Sequence, residues 1–114
     1  MKPTQTLPEL IGKRVHFIGI GGAGMSGLAR IALSHGIKVS GSDNNDSNVV
    51  IALTALGASV SVGHKSENVD GADLVVFSTA ISENNPERLR ALELVLPIIA
   101  RATALALLMS ESIS

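Results

Sequence analysis

The segment VHFIGIGGAGMSGLARIALSHG, residues 15–36, sets a short apolar run directly against a glycine cluster and then a helical pattern. Five of the chain's eleven glycines fall between Gly19 and Gly27. Val15 to Ile20, β-branched and aromatic, reads as a buried strand. Beyond the glycines, Met25, Leu28, Ala29, Ile31, Ala32 and Leu33 recur at helical spacing. Gly36 then stops the helix, with His35 in its last turn. A strand joined to a helix through so short a turn packs only as one layer on another, which is the unit of an α/β fold.

The rest of the chain repeats this alternation. Residues 2–10 read as a polar lead-in with two prolines. Lys38 to Ser42 is short and extended, Asn44 to Asn48 turn-like, and Val49 to Leu56 helical up to Gly57. Ala58 to Val62 alternates as a strand, and His64 to Gly71 is a polar loop or short helix. Leu74 to Phe77 is a second continuous apolar run. Pro86 sits near the first turn of a helix carried by Arg88 to Leu96, where a missing N–H costs nothing. Pro97 to Ala100 is a fifth strand and Ala102 to Met109 a last helix. The expected fold is a Rossmann-like, doubly wound parallel sheet of five strands, order 3-2-1-4-5, with helices on both faces.

Composition narrows the function. The 114 residues suit one domain. Nine Lys and Arg balance ten Asp and Glu with no long run of one sign, and Phe17 and Phe77 are the only aromatics. A nucleic-acid surface needs clustered cations or stacking rings, so no nucleic-acid partner is expected. The absence of cysteine excludes disulfides, thiolate nucleophiles and Cys-ligated metals. No apolar run approaches the ~18 residues of a membrane span, and residues 1–8 lack a signal-peptide core. A cytoplasmic protein without a membrane partner is expected.

Gly19-Ile20-Gly21-Gly22-Ala23-Gly24 fits G-x-G-x-x-G in its proper setting of strand before and helix after. Gly19 allows the tight turn. Gly21 and Gly22 let the backbone approach a diphosphate, and Gly24 and Gly27 let the helix lie close to the sheet. Free N–H groups and the positive end of the helix dipole then face an anion. Asp43, in Ser42-Asp43 just after the second strand, stands where a carboxylate accepts from ribose hydroxyls. NAD and a nucleotide sugar need the same cradle. An interaction domain with an empty cleft is the third reading, and the glycine density argues against it.

Ser78-Thr79-Ala80-Ile81 follows the fourth strand, across the crevice from the glycine loop in that strand order. Ser78 and Thr79 offer hydroxyls, Ala80 and Ile81 a backbone edge and an apolar surface for a base. The bland alternative is a turn that caps the next helix. His64, just past the third strand, is a weaker candidate. His16 and His35 receive no role. Arg101, just past the fifth strand, stands where it could reach an anion from the same edge, but reads first as a surface arginine. The histidines lack metal-ligand spacing and no nucleophile–base grouping stands out, so no metal ligand and no catalytic residue is assigned.

Taken together, His16 to Ala29, Ser40-Gly41-Ser42-Asp43, Gly57-Ala58, His64 with Glu67-Asn68-Val69, Ser78 to Ile81 with Asn85-Pro86-Glu87, and Arg101-Ala102 resemble the opening of the Mur ligases, in particular the branch that adds L-alanine to UDP-N-acetylmuramate. The resemblance covers residues 13–109. It implies a cytoplasmic peptidoglycan-precursor enzyme of three domains, driven by ATP and Mg²⁺ through an acyl phosphate. It places Gly21, Gly22, Ala23, Gly24 and Met25 on the UDP diphosphate, Ser42 and Asp43 near the ribose or uracil, and Ser78, Thr79, Ala80 and Ile81 along the crevice, with His64 beside them. The family's ATP loop, Gly-x-x-x-x-Gly-Lys-[Thr/Ser], is missing from this sequence. Residues 1–114 are therefore expected to be the N-terminal UDP-binding domain without its ATP-binding and C-terminal partners, taking no cofactor and catalysing nothing alone.

Overall fold

The computed structural model describes residues 7–113. Five parallel strands, β1 (Arg14–Ile18), β2 (Lys38–Asp43), β3 (Ser59–Val62), β4 (Leu74–Phe77) and β5 (Ile98–Ala100), form one sheet in the order β3-β2-β1-β4-β5. The helices are α1 (Leu7–Leu10), α2 (Met25–Ser34), α3 (Asn48–Ala55), α4 (Pro86–Glu93) and α5 (Arg101–Ile113). A 3-10 turn spans Ser66–Val69. The expected topology is the observed one.

Alternation along the central strands sorts the core. Val15 and Phe17 of β1, Leu74 and Val76 of β4 and Ile99 of β5 face one side, against Met25, Leu28, Ala29 and Ala32 of α2, Leu53 of α3, and Ala104 and Leu108 of α5. Ile18 and Val75 face the other side, against Val69, Ala72 and Ala91. Strand β2 follows the same period with different chemistry. Val39 belongs to the first face, whereas Ser40 and Ser42 are buried on the second, in register with His16 and Ile18. That second face is thus polar along β1 and β2, and it is where the functional geometry collects.

The boundaries differ from expectation where a backbone turn decides them. Strand β1 stops at Ile18 because Gly19 takes φ +79°, and the N–H groups of Gly19 and Ile20 both donate to the Ser42 carbonyl, at 2.8 and 2.9 Å. Ala58 closes α3 by donating to Leu53 O rather than opening β3. Of the polar lead-in, residues 2–6 lie outside the described residues. From Leu7 it is a single helical turn, and Leu10, 1% exposed, joins the core beside Leu107 and Leu108 of α5.

Two positions set steric limits. A methyl group at Gly41 would lie 2.6 Å from Ile20 Cδ1 and 2.9 Å from Phe17 O. Val95 ends α4 in the left-handed region, φ 58°, with its side chain 86% exposed. A β-branched residue is strained there and gains nothing from burial. Gly41→Ala is expected to lower stability by about 1–3 kcal/mol. Val95→Gly is expected to raise it by on the order of 1 kcal/mol, as relief of strain exceeds the added unfolded-state entropy. Urea titrations followed by circular dichroism check both, since the chain has neither tryptophan nor tyrosine.

Candidate functional site

The glycine loop leaves β1 at its carboxyl end and enters α2 through Gly24, whose φ is +79° and which offers no side chain to cap the helix. Several of the loop's N–H groups are already used. Gly21 N–H donates to Asp43 Oδ2 at 2.9 Å, Gly22 N–H to Gly19 O at 3.0 Å and Met25 N–H to Gly22 O at 3.1 Å. The expected run of donors from Gly21 to Met25 therefore thins to Ala23 and Gly24, whose N–H groups find no acceptor among the described residues. Asp43 is first a brace for the loop: its other oxygen accepts from Asn45 N–H at 3.1 Å. Each carboxylate oxygen keeps a lone pair for a ligand hydroxyl.

Arg101 comes to this loop. A methyl group built on Gly24 would lie 3.0 Å from Arg101 Nη1, so the guanidinium rests against the backbone at the opening of α2. It makes no ion pair among the described residues. Two unpaired N–H groups, a helix N-terminus and an uncommitted guanidinium together favour a bound anion. The opposite wall is Ser78 to Ile81. Ile81 N–H closes a tight turn on Ser78 O at 3.1 Å. Its Cδ1 would be 3.1 Å from a methyl group on Gly19, so the two loops meet. Arg88 holds that turn in place: its guanidinium stacks 4.2 Å above the Phe77 ring, and Nη1 donates to Ile81 O at 3.5 Å. Thr79 and Ala80 are exposed and Ser78 half-buried.

Below the edge lies a buried polar network. Glu87, in the first turn of α4, is fully buried. The Asn85 side chain caps α4 by accepting from Glu87 N–H and Arg88 N–H, which leaves the Glu87 carboxylate free to turn inward. Its Oε1 accepts from His16 Nε2–H at 2.6 Å and from the Ser42 hydroxyl at 2.7 Å. Its Oε2 accepts from Asn68 Nδ2–H at 2.8 Å and Lys65 N–H at 3.0 Å. Ser40 lies 2.8 Å from His16 Nδ1 and receives Arg14 Nε–H at 3.2 Å. His64 Nδ1 lies 2.8 Å from Ser42 Oγ. Burial opposes the Glu87 charge and is the largest single effect. The hydrogen bonds from His16, Asn68 and Ser42 together exceed it and hold the carboxyl below its ordinary value.

The structure thus gathers Gly21 to Gly24, Asp43 and Ile81 around one crevice and puts Ser78, Thr79 and Ala80 on its rim. Ser42 and Met25 do not present side chains to it: both are buried, Met25 in the core and Ser42 in the network. His64 reaches the site through Ser42. Sequence reasoning gave Glu87 and His16 no role, and set the anion reading of Arg101 second to that of a surface arginine. The only mark on Arg101 is its place directly after the fifth strand, whereas Glu87 stands at a helix start, where an acidic residue ordinarily needs no other reason. Among the described residues no three His, Asp or Glu side chains converge as a metal centre, and no helix is long and apolar enough to cross a membrane.

The network makes stability depend on acid. Since Glu87 titrates below its ordinary value of 4.5 in the folded chain, its contribution is full above that value and lost as pH falls through the depressed folded value. Glu87→Gln opposes donors with an amide. It is expected to cost on the order of 3 kcal/mol near neutrality. It is also expected to flatten the acid limb of the stability profile, measured by urea midpoints from neutral pH downward.

The chain resembles known proteins over most of its length. The description "Mur ligase family, catalytic domain" matches residues 14–112. A UDP-N-acetylmuramate–L-alanine ligase of Renibacterium salmoninarum is 57% identical over 98 residues, 86% of this chain and 21% of the relative. One from Persephonella marina is 50% identical over 97 residues, 85% of this chain and 21% of the relative. The crystal structure of a UDP-N-acetylmuramate–alanine ligase from Thermotoga maritima superposes with a TM-score of 0.76 at 37% identity, over 79% of this chain and 21% of that one. The chain spans about a fifth of the length of these relatives. A family description that runs from β1 into α5, over the glycine loop and the crevice it lines, shows that this chain belongs to the Mur ligase family.

Proposed function

We propose that this chain is the uridine-nucleotide-binding domain of an ATP-dependent ligase that joins L-alanine to UDP-N-acetylmuramate in bacterial peptidoglycan precursor synthesis, a cytoplasmic reaction. The observation that carries the reading is the meeting of Arg101 with the unpaired N–H groups of Ala23 and Gly24, which suits a diphosphate. Asp43, beside that loop, suits the ribose. The Ile81 side chain, packed against Gly19, offers an apolar surface for the base. The names of the relatives supply the uridine nucleotide and the alanine.

ATP and Mg²⁺ belong to that reaction, and the residues here do not fit them. The sequence has no Gly-x-x-x-x-Gly-Lys-[Thr/Ser] loop and no gathering of carboxylates for a cation among the described residues. No catalytic step is assigned to this chain, which is expected to bind substrate and to turn nothing over by itself.

Calorimetric titration with UDP-N-acetylmuramate, UDP and NAD tests the reading. Saturable heat is expected with both uridine ligands and none with NAD; heat with NAD alone would reverse the assignment to the cofactor half of a dehydrogenase. Arg101→Ala is expected to weaken UDP about tenfold, the worth of one charge-assisted contact. It should leave the melting temperature unchanged, because the side chain is exposed. Asp43→Ala is expected to weaken UDP as well, by loosening Gly21.

A further inference from the structure

The hydrogen atoms of the buried network can be assigned by elimination. An ionised carboxylate only accepts. Glu87 Oε1 therefore takes the single hydroxyl proton of Ser42, across 2.7 Å. Ser42 Oγ then meets His64 Nδ1, 2.8 Å away, only as an acceptor, so Nδ1 carries a proton. Glu87 Oε2, 3.7 Å from the same Nδ1, favours that proton too. His64 Nε2 has no partner among the described residues. The ring stands just past β3 at the carboxyl edge, 13% exposed, with Nδ1 turned inward and Nε2 on its opposite side.

We propose that Glu87 is a positioning residue for the nucleotide site: through Ser42 it fixes His64 in the Nδ1–H form, so that Nε2 is an acceptor and meets a hydrogen-bond donor of the nucleoside rather than a phosphate oxygen. This deepens the nucleotide-binding reading and rests on it. It also separates two parts of the crevice by charge. The Ala23, Gly24 and Arg101 corner donates and takes the diphosphate, while the His64 corner accepts and takes a ribose hydroxyl or the imide N–H of a uracil-type base. The same carboxylate orders the loop that carries His64, since Lys65 N–H and Asn68 Nδ2–H both end on Oε2. Glu87 touches no ligand in this arrangement and acts only through its partners.

The test begins without ligand. Long-range ¹H–¹⁵N spectra of the histidine rings are expected to show His64 with protonated Nδ1 and bare Nε2. Ser42→Ala removes the relay and keeps Glu87; the bare form is then expected to shift towards Nδ1. A wild-type His64 protonated at Nε2, alone or together with Nδ1, or a tautomer unmoved by Ser42→Ala, overturns the proposal. Ser42→Ala is further expected to weaken UDP about fivefold, the worth of one neutral hydrogen bond. Ile99→Ala, a core change away from the network, controls for lost stability and should move neither readout.

Probe ligands then separate the donors. If the donor is a ribose hydroxyl, 2′,3′-dideoxy-UDP binds wild type and Ser42→Ala equally; if it is the imide, N3-methyl-UDP does. An equal loss for UDP and both analogues assigns His64 to the phosphates and overturns the proposal. Should the wild type bind no uridine nucleotide while the tautomer stands as expected, the nucleotide reading fails and the ligand half of this inference falls with it.

Discussion

A carboxylate with no exposed surface is tolerated only when its lone pairs are filled, and Glu87 fills them from four directions. His16 arrives from β1, Ser42 from β2, and Lys65 and Asn68 from the segment after β3, while Glu87 itself belongs to α4. Four pieces of chain are thereby held at one point. The sheet's second face can be polar along β1 and β2 because this acceptor is there. Any one partner taken alone is an ordinary hydrogen bond. Their common dependence on a single charged acceptor is what couples them.

Ser42 links that point to the ligand edge. Its hydroxyl serves Glu87, and its carbonyl receives the N–H groups of Gly19 and Ile20, which fix where the glycine loop leaves β1. The next residue, Asp43, holds Gly21 from the other side. Two consecutive residues at the end of β2 thus set the height of the loop above the sheet. Side chains below the loop and donors above it are parts of one hydrogen-bonded assembly rather than separate features.

The alternation of strands and helices was legible because each apolar run has a single purpose. Leu74 to Phe77 lies between two other strands and must be apolar on both sides, and its limits were read to the residue. Helix α1 was hidden because a four-residue turn is too short to show a period. The glycine loop and Asp43 announced themselves through local spacing, and the structure joins them by a hydrogen bond. Glu87 and His16 did not, because their meaning lies in a contact across 71 positions. A strand histidine and a helix-start glutamate each have an ordinary explanation until they are found 2.6 Å apart. Arg101 was half legible: its place after the fifth strand put it at the ligand edge, but its approach to the opening of α2 is seen only in the structure.

The place of Arg101 as the first residue of α5 gives that helix a mechanical meaning. Ala104 and Leu108, one turn apart and both buried against the sheet, set the rotation of α5 about its own axis. Each residue advances an α-helix by roughly 100°. A slip of one residue in this packing would therefore carry the guanidinium to another side of the helix and away from Gly24. The positive charge of the crevice is then a property of how α5 is seated, and the pair of apolar side chains beneath it acts as the detent that keeps the charge in register.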